Sequence, residues 1–177
     1  MKRLLLSPLL CLAALAAEPV PEFQGSLEKL DPALDALLEP TTKIEVLASG
    51  FNWSEGPVWK DGKILFSDVP ENTVFGWKEG DKAATVSLKP SGSLSEEGQG
   101  SNGLAKDAAG NLILCQHGER RVARLEKDGS FTSLADKFEG KRFNSPNDLV
   151  IDAKGAVFFT DPPYGLKKGT EIGRAHV

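Results

Sequence analysis

The sequence predicts an all-β chain assembled from β-propeller blades. Three observations carry that expectation: a repeat of about 45 residues, short β-branched and aromatic runs parted by Asp-Gly-type turns, and a polar residue recurring at one place in each repeat. The turn glycines Gly62, Gly110 and Gly155 stand 48 and 45 residues apart, and the leading polar residues Glu55, Asn102 and Asn147 stand 47 and 45 apart. Four antiparallel strands in such a period make a propeller blade. A β-sandwich also has short strands at regular spacing, but it gives no reason for a polar residue to recur in register.

The elements follow in chain order. Residues 1–17 read as a secretory signal: Lys2 and Arg3 form the positive start, Leu4 to Leu15 the apolar stretch, and Ala14-Leu15-Ala16-Ala17 a small-residue cleavage site. Leu10 before Cys11 argues against a lipid anchor. The product is therefore expected to be exported, to the periplasm or the extracellular space, with no membrane association after removal of the signal. Residues 18–41 form a lead-in, in which Asp31-Pro32 caps and opens a short helix to Leu38. Thr42 to Ala48 alternates apolar and polar residues, as an outer strand would.

Residues 42–170 hold the partial propeller. In the first unit Glu55-Gly56-Pro57-Val58-Trp59 precedes a Lys60-Asp61-Gly62 turn and the run Lys63 to Asp68, followed by candidate strands Thr73 to Lys78 and Ala84 to Leu88. The second unit repeats this with Asn102 to Ala105, Asn111 to Gln116, Arg121 to Glu126 and Ser130 to Leu134. The third offers Asn147 to Val150 and Ala156 to Asp161. Residues 90–100, rich in Ser, Gly and Glu, are expected to form an exposed loop between blades. A propeller needs roughly four to eight blades to close, and this length supplies only about three. Residues 171–177, Glu-Ile-Gly-Arg-Ala-His-Val, match the translation of a common sequencing-adapter string, so they are read as a non-native tail.

Composition narrows the function. With 40% hydrophobic and 26% charged residues the chain is neither disordered nor fibrous. Its pI near 5.3 and its lack of clustered Lys and Arg exclude nucleic acid as an expected partner. Cys11 leaves with the signal, so Cys115 has no intramolecular partner, and its apolar run Leu112-Ile113-Leu114-Cys115 marks a small buried hydrophobe. Two motif matches lack their required context. Gly98-Gln99-Gly100-Ser101-Asn102-Gly103 fits G-x-G-x-x-G without a preceding strand or a following helix, and Asn52-Trp53-Ser54 matters as a glycosylation acceptor only in a eukaryotic secretory route. The three Trp residues and most Phe residues are assigned to strands and blade packing.

A residue just before the innermost strand of a blade stands at the mouth of the central channel, so Glu55, Asn102 and Asn147 are expected to converge. One carboxylate and two amides offer oxygen donors suited to a hard cation, with Ca²⁺ favoured because it accepts amide oxygens beside carboxylates. The other reading is turn chemistry, in which each Asn bonds its own backbone. His117 follows the second strand of its unit, where Val69 and Pro162 sit in the others. Its imidazole either meets a substrate or bonds a neighbouring loop. Arg121 either orients a polyhydroxy substrate or pairs with Glu119, and Asp148 and Asp161 have structural uses beside turns.

Ser54-Glu55-Gly56-Pro57-Val58-Trp59, Ser101-Asn102-Gly103-Leu104, Gln116-His117-Gly118-Glu119-Arg120-Arg121, Asn144-Ser145-Pro146-Asn147-Asp148-Leu149 and Thr160-Asp161-Pro162-Pro163-Tyr164-Gly165 together resemble the gluconolactonase and regucalcin family of six-bladed β-propellers. The resemblance runs from about Ile44 to Leu166. It implies a six-bladed fold shortened here to about three blades with a short N-terminal helix, and hydrolysis of a small-molecule sugar lactone with one divalent cation, Ca²⁺ or another, in the channel. It places metal contacts on Glu55 and Asn147 and substrate contacts on Asn102, His117, Asp148 and Arg121. The catalytic base is expected in blades this chain lacks, so the fragment is expected to be inactive alone. The rival reading is a non-catalytic propeller module binding a sugar or a protein, and a further one is hydrolysis of another ester or an organophosphate.

Overall fold

The computed structural model describes residues 21–23, 25–95 and 98–166. The expected signal and the expected adapter tail lie outside them. The chain divides into two units, Met1–Val46 and Leu47–Val177. In the first, the capped helix is a 3₁₀ turn over Pro32–Ala36, with the Asp31 carboxylate accepting from the Ala33 N–H at 2.7 Å and Pro32 at the start. Asp31 does what a helix-start residue with a short oxygen-bearing side chain does: it satisfies an amide that no earlier carbonyl can reach.

The second unit contains the blades. Strands β1 (Ser54–Lys60), β2 (Lys63–Asp68), β3 (Thr73–Trp77) and β4 (Thr85–Leu88) form one antiparallel sheet in the order β1-β2-β3-β4. Strands β5 (Ser101–Lys106), β6 (Leu112–Gln116), β7 (Arg121–Leu125) and β8 (Phe131–Ala135) form a second in the order β5-β6-β7-β8. A two-stranded hairpin, β9 (Lys137–Phe138) with β10 (Lys141–Arg142), leads to the opening pair of a third blade, β11 (Leu149–Ile151) with β12 (Val157–Phe159). The repeat read from the sequence is therefore two complete blades and the inner half of another.

Local chemistry explains the hairpins. Asp61 and Gly62 both have positive φ, 51° and 77°, which is what a two-residue turn between right-twisted strands requires, and Lys60 pairs with Lys63 across it. The later blades use a longer turn held by an aspartate. Asp107 Oδ1 accepts from the N–H groups of Ala109 and Asn111, and Asp152 Oδ1 accepts from those of Lys154 and Ala156.

Blade stacking makes the core. Strand β6 is buried at every position. Its alternate residues serve two neighbours: Leu112 and Leu114 pack with Leu65, Val74 and Leu104, while Ile113 and Cys115 pack with Val122 and Leu149. A strand covered on both faces needs a continuous apolar run rather than alternation, which is why Leu-Ile-Leu-Cys appears there. Cys115 is fully buried, and burial raises its thiol pKa, first through desolvation and then through the charges of Asp148 and Asp161. The remaining face of the first blade is covered by Phe51, whose ring lies 4.8 Å from that of Phe66 and 5.0 Å from that of Phe75.

Two expectations are corrected. Thr42 to Ala48 forms no strand, because no neighbouring segment among the described residues pairs with it and alternation alone makes no ladder. Nor are residues 90–100 simply an exposed loop: Ser91 and Ser93 are 0% and 4% exposed. Asn72, at φ 51°, gathers them, its Oδ1 accepting from the N–H groups of Ser91, Gly92 and Ser93 while its Nδ2 donates to the Ser93 carbonyl. Small residues let this segment pack tightly, so its Ser and Gly content marks close approach rather than exposure. Asn72→Ala leaves buried N–H groups without an acceptor and is expected to cost about 2 to 3 kcal/mol. The check is the urea midpoint, which should fall while the denaturant slope stays unchanged.

Candidate functional site

The innermost strands carry the site. In each complete blade one extra residue interrupts the pairing of the first two strands, between Glu55 and Val58 and between Ser101 and Leu104. Such a bulge re-aims the side chain beside it. Immediately after Glu55 and Asn102 come Gly56 and Gly103, and at both the next blade approaches too closely for a side chain. A Cβ on Gly56 would lie 2.4 Å from the Asn102 carbonyl oxygen, and one on Gly103 would lie 2.7 Å from that of Asn147. The Ser67 hydroxyl donates to the Asn102 carbonyl at 2.8 Å, and the Gly103 N–H donates to that of Asn147 at 2.7 Å. Main chain thus stacks on main chain from blade to blade.

The result is a cleft of about 360 Å³ in the second unit. Glu55, Asn102, Asn147 and His117 all line it, joined by Gln99, Val69 and Pro70, with the exposed rings of Trp53 and Tyr164 at its edge. A larger hollow of about 490 Å³ in the first unit, lined by residues such as Glu22, Lys29 and Ile44, contains none of the recurring residues. The Trp53 indole N–H donates to Glu55 Oε1 at 2.8 Å and fixes the carboxylate. Trp53 is 62% exposed, so it serves this contact instead of the packing expected for tryptophan.

Asp148 and Arg121 are placed elsewhere. The Asp148 carboxylate accepts from the Leu149 N–H at 2.9 Å, and the residue is exposed and does not line the cleft. Arg121 donates through Nε to Gln116 Oε1 at 2.6 Å and lies 5.9 Å from the Phe131 ring centroid. It forms neither a cleft contact nor the expected pair with Glu119, whose carboxylate accepts from the Leu94 N–H. The reason is its place at the start of β7, two strands out from the channel, opposite Gln116. Asp161 has the use beside a turn that its position suggested. Its Oδ2 accepts from the Asn144 N–H at 2.8 Å, and burial raises its pKa against the lowering effect of that bond. Asp68 ties Asn52 and Trp53 to the first blade in the same way.

His117 is 3% exposed. Its Nδ1 lies 3.2 Å from Gln99 Oε1, and its Nε2 is buried without a hydrogen-bond partner among the described residues. Burial lowers its pKa to about 4, against the opposing charge of Glu55, so the ring is neutral at pH 7. Between that value and the ordinary value near 6.5 the unfolded chain binds a proton that the folded chain refuses, so this contribution to stability is complete above pH 6.5 and is lost as pH falls. Lowering the pH from 7 to 5 is expected to cost about 2 kcal/mol through His117 alone. Urea titrations of the parent and of His117→Gln isolate it, the variant losing that share of the slope.

The donor set fits a hard cation in one respect and limits it in another. Glu55, Asn102 and Asn147, each with a side-chain oxygen, line one cleft, but no cluster of three or more His, Cys, Asp or Glu side chains able to hold an ion occurs among the described residues. A cation here would rely on amide oxygens and, among the described residues, a single carboxylate, which is ligation that Ca²⁺ accepts and softer metals do not favour.

Sequence spacing made Glu55, Asn102 and Asn147 visible. It missed Trp53, Gln99 and Tyr164, which arrive from loops with no shared period; the short Trp53-to-Glu55 spacing was the one available signal.

Comparison with known proteins agrees with this architecture. Residues 53–176 match the family described as SMP-30/Gluconolactonase/LRE-like region. The gluconolactonase of Zymomonas mobilis subsp. mobilis is 44% identical over 151 residues, which is 80% of this chain and 42% of that protein. The solved structure of a gluconolactonase from Xanthomonas campestris aligns with a TM-score of 0.57 at 40% identity, over 67% of this chain and 38% of its own. A second solved structure, assigned to the gluconolactonase protein family, aligns with a TM-score of 0.61 at 38% identity, over 71% and 43%. The chain spans about two fifths of the length of these relatives. With a match over most of its length and blades of the propeller type, this chain belongs to the SMP-30/gluconolactonase/LRE-like family.

Proposed function

We propose that this chain supplies the cation- and substrate-binding side of an exported, Ca²⁺-dependent sugar lactonase. The observation that carries the reading is the arrival of Glu55, Asn102 and Asn147, from three successive blades, at one cleft. The gluconolactonase relatives support the choice of substrate class, and residues 1–17 support export.

A bound divalent cation would polarise the lactone carbonyl as a Lewis acid. Glu55, held by Trp53, would supply the negative charge that holds such a cation, and Asn102 and Asn147 would offer it amide oxygens. The amide N–H groups of the same asparagines are donors available to ring hydroxyls. Lactone opening adds water to the carbonyl carbon and breaks the ring C–O bond, giving a hydroxy acid, and it needs a base to take the proton of the attacking water. Asp161 accepts from Asn144 through Oδ2, and neither it nor Asp148 lines the cleft. We therefore assign the base to the part of the relatives' length that this chain does not span, and the chain alone binds without turnover.

Calorimetry with CaCl₂ and acid release from glucono-1,5-lactone, with and without chelator, test the reading. The chain is expected to bind Ca²⁺ without accelerating hydrolysis, while a protein of the relatives' full length hydrolyses the lactone only with metal. Sugar binding that ignores both chelator and Glu55→Gln would instead assign the cleft to a non-catalytic binding module.

A further inference from the structure

We infer that Gln99 holds His117 in the tautomer protonated at Nδ1, so that Nε2 offers a bare lone pair to the cleft and selects ligands that carry a hydroxyl donor. The inference rests on the reading of this cleft as a sugar-lactone site. An amide oxygen only accepts, so the 3.2 Å contact between Gln99 Oε1 and His117 Nδ1 places the ring proton on Nδ1. A neutral imidazole has one such proton, which leaves Nε2 an acceptor. That atom is buried and meets no donor among the described residues. Buried acceptors left without a donor are rare in folded chains and point to a bound water or ligand.

The ring is held in place from two directions. Backbone bonds on both sides of it, from the His117 N–H to the Gly100 carbonyl and from the Arg120 N–H to the His117 carbonyl, fix its base. Gly165, from the third blade, presses on it so closely that a Cβ there would lie 2.7 Å from the ring Cγ and 2.8 Å from Nδ1. The recurring residues of the cleft, Glu55, Asn102 and Asn147, present oxygen acceptors, and the two asparagines add N–H donors. A ligand that accepts from an asparagine N–H and donates an O–H to Nε2 satisfies both sides, whereas a bare hydrocarbon ring leaves Nε2 unsatisfied. Gln99 is a positioning residue in this arrangement: it acts on the ligand only through the imidazole.

Long-range ¹⁵N–¹H correlation of the imidazole rings reads the tautomer directly, and the chain has only two histidines, His117 and His176. The His117 ring is expected to show the Nδ1–H pattern at pH 7. Gln99→Leu should shift it to the Nε2–H form, and Gln99→Glu, which keeps an acceptor oxygen, should retain the parental pattern. An Nε2–H ring in the parent, or a pattern that Gln99→Leu leaves unchanged, overturns the inference whatever the cleft binds. D-gluconate, titrated against hexanoate of equal carbon count, should move the Nε2 resonance at least tenfold more tightly. Equal effects of the two acids, or no effect of gluconate, overturn hydroxyl selection. Acid release from glucono-1,5-lactone by a protein of the relatives' full length is measured separately, so loss of the lactonase reading and loss of this one are told apart.

Discussion

Gly56→Ala is expected to destabilise the blades by about 4 kcal/mol or more, a cost in the range reserved for disrupted cores and strained backbone. Two effects add. Gly56 has φ of 57°, a left-handed conformation that costs a residue with a Cβ roughly 1 to 2 kcal/mol. The new Cβ would also lie 2.4 Å from the Asn102 oxygen and 2.7 Å from the Leu104 nitrogen, both main-chain atoms of β5 that no rotamer change can move. Since domains are stable by only about 5 to 15 kcal/mol, the loss takes a large share of the total. Gly62→Ala is the matched control: Gly62 has φ of 77° but open space around it, so it should suffer the conformational cost alone. Urea unfolding of the two variants should differ by at least about 2 kcal/mol, the part due to blade contact. Equal losses would show that the inner strands tolerate separation.

Glu55→Gln should weaken divalent-cation binding by about 100-fold or more, given that altering residues which merely support a ligand already costs about 10- to 100-fold. Glu55 is the sole carboxylate lining the cleft among the described residues, and glutamine keeps its shape and an oxygen for the Trp53 N–H. The fold is therefore retained, and charge alone changes. Tb³⁺ substitutes for Ca²⁺, and its emission, excited through the indole of Trp53 beside the carboxylate, gives a direct titration. Parental emission should saturate and fall on adding CaCl₂, while the variant should give neither response at the same concentrations. A variant that binds as tightly as the parent removes Glu55 from the cation site.

Much of this architecture was legible because it is local and periodic. Asp61-Gly62 declares its turn, Leu112 to Cys115 declares a buried apolar strand, and the recurrence of Glu55, Asn102 and Asn147 declares a common place in each blade. Residues whose roles depend on distant partners were opaque. Asn72 reaches across about twenty positions to Ser91–Ser93, so neither its own neighbours nor the serine-rich segment reveals the packing. Thr42 to Ala48 shows the opposite error, an alternation that finds no strand to join. Arg121 sits beside His117 in sequence but starts a strand leading away from the channel, and chain proximity carried no information about its direction.

The inner strands are positioned by carbonyls and amides of Asn102, Gly103 and Asn147, none of which depends on what the side chains at 55, 102 and 147 are. Scaffold and chemistry are thereby uncoupled at the same residues. An exchange of amide for carboxylate at any of them changes the charge of the cleft while the stacking stays intact, so this frame can take up new chemistry one substitution at a time.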